Sequence, residues 1–252
     1  MKNKRGQVAI FVIVGMVLVV GILFLFMIRD RGIDAAISPE KNPEAFVEKC
    51  LKDAVEEAID PIILQGGFIE PRDYKLYQGI KASYLCKHTG NFKPCINQHP
   101  MFLNDINRGI SEYVKPRVEN CLMTIKNEFE KRQYTVVLSD VAIDLDLSPG
   151  VVKPTMTSRV VLTRGEEVKS FSNIGVEVES PLYDLAKVAM DIANSESMFC
   201  YFEYVGYIAS HPQFMIKKTT VSDSTRIYTI IDRESGKEMN IAIRGCVIPQ
   251  GI

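Results

Sequence analysis

The sequence predicts an α+β fold behind a single N-terminal transmembrane helix, and three observations carry that expectation. From Val8 to Ile28 no side chain is charged, enough for about 31 Å of helix, the thickness of a bilayer's hydrocarbon. Between Asn42 and Glu130 apolar residues recur at helical spacing, and beyond Tyr134 the period changes to two. The resulting order of helices, strands, helix and strands suits an extracytoplasmic domain of amphipathic helices and antiparallel strands and disfavours an alternating parallel fold. The expected parts are residues 1–31 as basic N-terminus and transmembrane helix, 32–42 as linker, 43–133 as a helical part and 134–252 as an α+β part.

With 252 residues, 46% hydrophobic and 24% charged, the chain has the balance of a folded protein and length enough for a sizeable core. Disordered and collagen-like classes are excluded by that balance. The first 31 residues hold five basic side chains and one acidic, leaving 25 basic against 30 acidic beyond them. A phosphate-binding surface needs clustered positive charge, so no nucleic-acid partner is expected.

Lys2, Lys4 and Arg5 precede the apolar span, whereas Arg29, Asp30 and Arg31 follow it with a net charge of one. This bias puts the N-terminus in the cytoplasm and the C-terminal domain outside the cell, as a single-pass protein of the cell membrane whose first partner is the lipid bilayer. A cleaved secretory signal is the rival reading. Its apolar region is typically about 7 to 15 residues, shorter than this one, and Ile33-Asp34-Ala35-Ala36 makes a poor cleavage site. Gly15 and Gly21 are six apart rather than four, so the close-packing motif for pairing anchor helices is absent.

The run Lys4-Arg5-Gly6-Gln7-Val8, a basic pair, Gly, Gln and then an unbroken apolar stretch, resembles the N-terminus of archaeal type IV pilins and archaellins. In that family a membrane peptidase cuts after the Gly and the freed apolar helix packs into a filament core. The resemblance implies a processing site between Gly6 and Gln7. Many pilins carry Glu at the fifth position after the cut, where this chain has Phe11, and many continue the helix into the head domain, where this chain has Gly32 and Ser38-Pro39. A plain anchor with basic residues on its cytoplasmic side accounts for the same residues through the charge rule.

Asn42-Pro43-Glu44 is a helix start, with a capping side chain, Pro in the first turn and an acid near the positive end. Val47, Leu51, Ala54, Val55, Ala58, Ile59 and Ile62 share a stripe, and Gly66-Gly67 supplies the stop. A second helical region runs from Phe102 to Glu130, where Pro116 predicts a kink or two helices meeting near Tyr113 to Lys115. Val141, Ile143, Leu145 and Leu147 alternate with Ala142, Asp144, Asp146 and Ser148 as a strand with one wet face. Ser158 to Thr163 and Val168 to Val178 complete an antiparallel meander turning at Arg164-Gly165. Pro181 opens a helix continuing to about Ile208, and Ile227 to Ile231 and Met239 to Ile243 flank a hairpin loop at Arg233 to Lys237.

Six cysteines are present: Cys50, Cys86, Cys95, Cys121, Cys200 and Cys246. In a domain outside the cell an even count favours three disulfides, although six cysteines allow 15 connectivities and the sequence alone does not select one. Two local features guide the pairing. Val47-Glu48-Lys49-Cys50-Leu51 and Val118-Glu119-Asn120-Cys121-Leu122 set each Cys alike on an apolar helix face, which joins Cys50 to Cys121. Cys86 and Cys95 enclose Gly90-Asn91 and Pro94, a stretch able to turn back on itself, so they pair and leave Cys200 with Cys246.

Phe46-Val47-Glu48-Lys49-Cys50-Leu51, Leu64-Gln65-Gly66-Gly67-Phe68-Ile69, Lys93-Pro94-Cys95 and Val118-Glu119-Asn120-Cys121 resemble a group of uncharacterised single-pass exported proteins of small-genome archaea with the same pilin-like start. The resemblance covers about half of the chain. It implies a place and a disulfide frame, and no activity.

The alternative for one stretch is metal. Cys86, His88, Cys95 and His99 bring two thiols and two imidazoles together, and zinc prefers soft sulfur and imidazole. Neither half has the two-to-four-residue cysteine spacing of structural zinc sites, so the disulfide is expected, with no metal and no cofactor. Asp144 and Asp146 project from one strand face as solvated acids, His211 reads as a loop residue, and no Gly-x-Ser-x-Gly elbow or Gly-rich phosphate loop occurs. Tyr201, Phe202, Tyr204 and Tyr207 form the densest aromatic patch and read as a partly buried helix end. The expectation is therefore a membrane-anchored, disulfide-stabilised cell-surface protein with a structural or adhesive role, not an enzyme, with a protein partner at the surface. The alternatives are a pilin-like filament subunit cleaved after Gly6 and an anchored enzyme or zinc-binding domain.

Overall fold

Helix α1 (Pro43–Leu64) begins where the sequence provides a cap: the Asn42 side-chain oxygen accepts the Ala45 N–H at 3.1 Å, and Pro43 occupies a first position that needs no donor. The computed structural model to which it belongs describes residues 15–19, 21 and 38–248. Val47, Leu51, Val55, Ile59 and Ile62 bury the helix's apolar stripe. Gly66 and Gly67, both at positive φ, end the helix where a Cβ would collide with the Asn240 carbonyl or the Phe102 ring.

A hairpin of β1 (Tyr74–Tyr77) and β2 (Ile80–Lys87) follows, turning through Gln78 and Gly79 at φ 50° and 82°. Two consecutive positive φ values match the right-handed twist of the flanking strands. Beyond the two-residue β3 (Ile96–Asn97), α2 (Phe102–Glu130) runs unbroken through Pro116. Of the two expected outcomes, a division into two helices does not occur. Ile110 and Val114 before the proline and Val118 and Leu122 after it are all buried, so packing on both sides holds the element across one missing donor.

The middle of the chain forms two small sheets instead of one meander. β4 (Thr135–Leu138), β7 (Val160–Arg164) and β8 (Glu167–Phe171) make one, in the order β4-β7-β8. β5 (Ala142–Ser148), β6 (Val151–Thr157), β9 (Ile174–Gly175) and β10 (Val178–Glu179) make the other, with β6 between β5 and the two short strands. Asn173, at φ 55°, breaks the strand expected from Val168 to Val178. Pro154 lies inside β6, where its carbonyl accepts the Val176 N–H at 3.1 Å. Its missing donor faces the same side, and the neighbouring strand is split there into β9 and β10.

Helix α3 (Leu182–Phe199) ends at Cys200, which is left-handed at φ 56°. A new helix, α4 (Tyr204–Ser210), starts at Glu203, whose carboxylate accepts the N–H groups of Val205 and Gly206. The single helix expected to reach Ile208 is thus two. Three strands then close a six-stranded sheet: β11 (Phe214–Thr220), β12 (Arg226–Asp232) and β13 (Glu238–Arg244). Its order is β1-β2-β13-β12-β11 with β3 on β2, antiparallel throughout except where β13 lies parallel to β2. Met239 to Ile243 are buried on both faces, the pattern of a central strand. One face, with Tyr228, Ile230, Met239 and Ile241, meets α3, and the other carries a small cluster of Ala82, Tyr84, Ile227 and Ala242.

The α+β character agrees with the expectation, and the transmembrane helix is corrected. No helix among the described residues is long and apolar enough to cross a membrane. A crossing needs about 20 consecutive apolar helical residues. The long helices α1 and α2 carry charged residues through every turn of their exposed faces. Of the span expected at Val8 to Ile28, residues 15–19 and 21 are described and helical, and the remainder lies outside the described residues. Gly6 and Gln7, the expected processing site, also lie outside them.

Candidate functional site

Three disulfides define the frame of the unit beginning at Val47. Cys50 of α1 is joined to Cys121 of α2 with 6.5 Å between their Cα atoms, closing a separation of 71 residues. Cys86 of β2 is joined to Cys95 over nine residues, and Cys200 at the end of α3 to Cys246 just after β13 over 46. In the chain-entropy account the two long bridges stabilise by about 4 kcal/mol each and the short one by about 3.

The third disulfide adjoins the most unusual chemistry in the fold. Glu196, on the last turn of α3, is completely buried. Its Oε1 accepts the Tyr228 hydroxyl, its Oε2 lies 2.9 Å from Nη2 of Arg226, and the Lys218 ammonium stands 3.9 Å away. The Arg226 contact is an ion pair without hydrogen-bond alignment, so Oε2 and Arg226 Nε have no hydrogen-bond partner among the described residues. Arg226 spends its other donors on carbonyls, Nη1 on Cys200 at 3.3 Å and Nη2 on Gly245 at 3.1 Å. The Lys218 ammonium lies over the Tyr201 and Tyr228 rings, 5.3 and 5.4 Å from their centroids. Burial lowers the Lys218 pKa against the opposing pull of Glu196. Burial also drives the Tyr228 pKa upward, reinforced by the hydrogen bond to Glu196.

Sequence reasoning did not find this cluster. Its signal was present: Glu196 falls one turn beyond Ile192, on the same stripe as Leu185 and Ala189, where every other position is apolar. Arg226 and Lys218 sit on β12 and β11, and only the sheet register brings them to α3.

The residues considered for zinc are placed otherwise. The Cys86 and Cys95 sulfurs are bonded to each other, the His88 Nδ1 accepts the Gly90 N–H at 2.8 Å, and the His99 Nδ1 pairs with Asp105 at 2.9 Å. No group of three or more His, Cys, Asp or Glu suited to a metal occurs among the described residues. Asp144 and Asp146 are exposed on β5, where Asp146 faces Lys153 across the ladder. Within the aromatic patch Phe202 is buried and Tyr201 half exposed, while Tyr207 stacks on His211 at 4.2 Å and donates to Asp191. A depression of about 260 Å³ between Glu56, Asp60, Glu179 and Lys237 is open and polar.

A different surface belongs to the β4-β7-β8 sheet. Cross-strand pairing places Thr135, Thr163 and Val168 in one row and Val137, Val161 and Ser170 in the next. These six residues share the face opposite to buried Val136, Val160 and Leu162, and none is charged. Such a face offers van der Waals contact and hydroxyl hydrogen bonds to a neighbour. No known protein family, curated protein or solved structure matches the chain.

Proposed function

We propose that the chain is a non-enzymatic protein of the cell surface, its disulfide-tied domain outside the cytoplasm, with a structural or adhesive role and a protein partner there. The observation that supports this reading is the disulfide frame, which uses all six cysteines. Bonds of this kind form and persist in oxidising compartments and are reduced in the cytosol. The chemistry of the described surface agrees: the uncharged rows on β4, β7 and β8 suit contact, and the paired carboxylates at Asp144 and Asp146 are solvated and set against a lysine.

The test uses intact cells. Native protein alkylated at once without reductant is expected to show six protected cysteines, and a membrane-impermeant cross-linker is expected to join the chain to other surface proteins. Six free thiols, with the chain untouched by the impermeant reagent until lysis, would overturn the reading.

A further inference from the structure

The three disulfides differ in how their thiols are brought together. Cys50 and Cys121 ride on two helices that also share the Glu57–Arg117 ion pair, and Cys86 and Cys95 are close in the chain. Cys200 and Cys246 lie just past the ends of α3 and β13, outside the regular elements themselves. They are 46 residues apart, and both sit in left-handed backbone, at φ 56° and 52°. That conformation is uncommon outside glycine and persists where neighbours impose it.

A single side chain bonds the backbone at both cysteine segments. The Arg226 guanidinium donates to the carbonyl of Cys200 and to that of Gly245, the residue before Cys246. Its position is fixed in turn by Glu196, one turn before Cys200 on α3, and Glu196 is fixed by Tyr228 on the strand that carries Arg226. Burying a carboxylate is costly, and apolar replacements of buried ion pairs are often as stable or more so. The two carbonyl bonds of this pair give it a positional role at the cysteine segments.

We propose that the Glu196–Arg226 pair is a template for the Cys200–Cys246 disulfide. The pair and its two carbonyl bonds assemble in the reduced chain, set the two thiols against each other, and so make this the bond that closes on an already folded core. The oxidant is a small-molecule disulfide such as oxidised glutathione. One cysteine thiolate attacks it to give a mixed disulfide and one reduced glutathione. The second then displaces the other glutathione, so that two thiols lose two protons and two electrons and two glutathione thiols are produced. Arg226 and Glu196 act here as positioning residues and exchange no electrons.

The full chain, reduced and unfolded, is refolded in a glutathione redox buffer, quenched by alkylation at intervals and mapped by peptide mass. In the unaltered chain Cys200–Cys246 is expected after Cys50–Cys121 and after native circular dichroism has returned. Arg226→Met is expected to lower the yield of Cys200–Cys246 by about tenfold or more, the scale of losing one positioned charged contact, with the other two bonds at their normal yield. Glu196→Gln, which keeps the size of the side chain and an acceptor for Tyr228, is expected to act in the same direction and decides the matter if Arg226→Met fails to fold. Normal formation of Cys200–Cys246 in either folded variant overturns the proposal. So does its closure before the native signal returns, or equal loss of all three bonds in both variants.

Discussion

Two regions of this domain are held together by different means. The six-stranded sheet with α1 and α3 carries five of the six cysteines and the buried Glu196–Arg226 pair. Residues 134–180, which form the two small sheets, contain no cysteine. There cohesion comes from antiparallel ladders and from the burial of Val136, Val152, Met156, Val160 and Leu162. Cross-links act largely on the unfolded chain by limiting its freedom, whereas burial acts on the folded state. The same overall stability is thus distributed between two mechanisms that respond to different perturbations.

The largest expected effect tests the cross-linked region. Replacing Cys50 and Cys121 together by Ser should lower stability by about 4 kcal/mol, the scale of a long closed loop, read as a shift of the denaturation midpoint. Next comes Leu162→Ala in the cysteine-free region. It should cost about 3 kcal/mol through lost burial and a cavity, and the loss should be the same in variants with and without the Cys50–Cys121 bridge. A strong dependence on the bridge would show the two regions to be one energetic unit.

Tyr228→Phe should cost about 1 to 2 kcal/mol, because it leaves buried Glu196 without a donor. The same tyrosine gives a pH test. Burial, first, raises the folded-state pKa of Tyr228 and of Tyr207, and the neighbouring Glu196 and Asp191 raise each further. A group that holds its proton more tightly when folded contributes fully below its unfolded pKa, about 10 for tyrosine, and loses that contribution as pH rises toward the folded value. Ultraviolet titration should therefore find tyrosines that stay protonated where exposed ones ionise. Tyr228→Phe should remove one of them. The smallest effect belongs to the outer face of the small sheet: Val137→Thr with Val168→Thr should change stability by no more than about 0.5 kcal/mol, while weakening cross-linking to a surface partner if that face makes the contact.

The contrast also marks what the sequence could tell. Helices α1 and α3 were legible because their stripes run from a clear start, and β12 and β13 because Arg233 to Lys237 announces a turn. The β1–β2 hairpin was hidden behind Gln78-Gly79, a turn whose first residue carries no strong preference for positive φ. β6 was hidden by Pro154, which argues against a strand until the gap between β9 and β10 is known. The cysteine pairs could be approached through local setting. The Glu196–Arg226–Tyr228 cluster could not, since its members meet only through the packing of α3 on a sheet register that no local pattern encodes.

The parallel placement of β13 has a consequence for how the chain reaches this state. β13 lies between β2 and β12, so the sheet is completed by a strand separated from β2 by all of β3 through β12. While the chain is being synthesised, β2 waits with one edge open and with Ala82 to Cys86, buried in the finished fold, awaiting their cover. Contacts of such long range form slowly, and an open apolar edge invites pairing with another chain. A binder that shields nascent strands, or delivery of the chain to its destination before it folds, would protect that interval, and protein truncated before Glu238 should aggregate rather than fold in part.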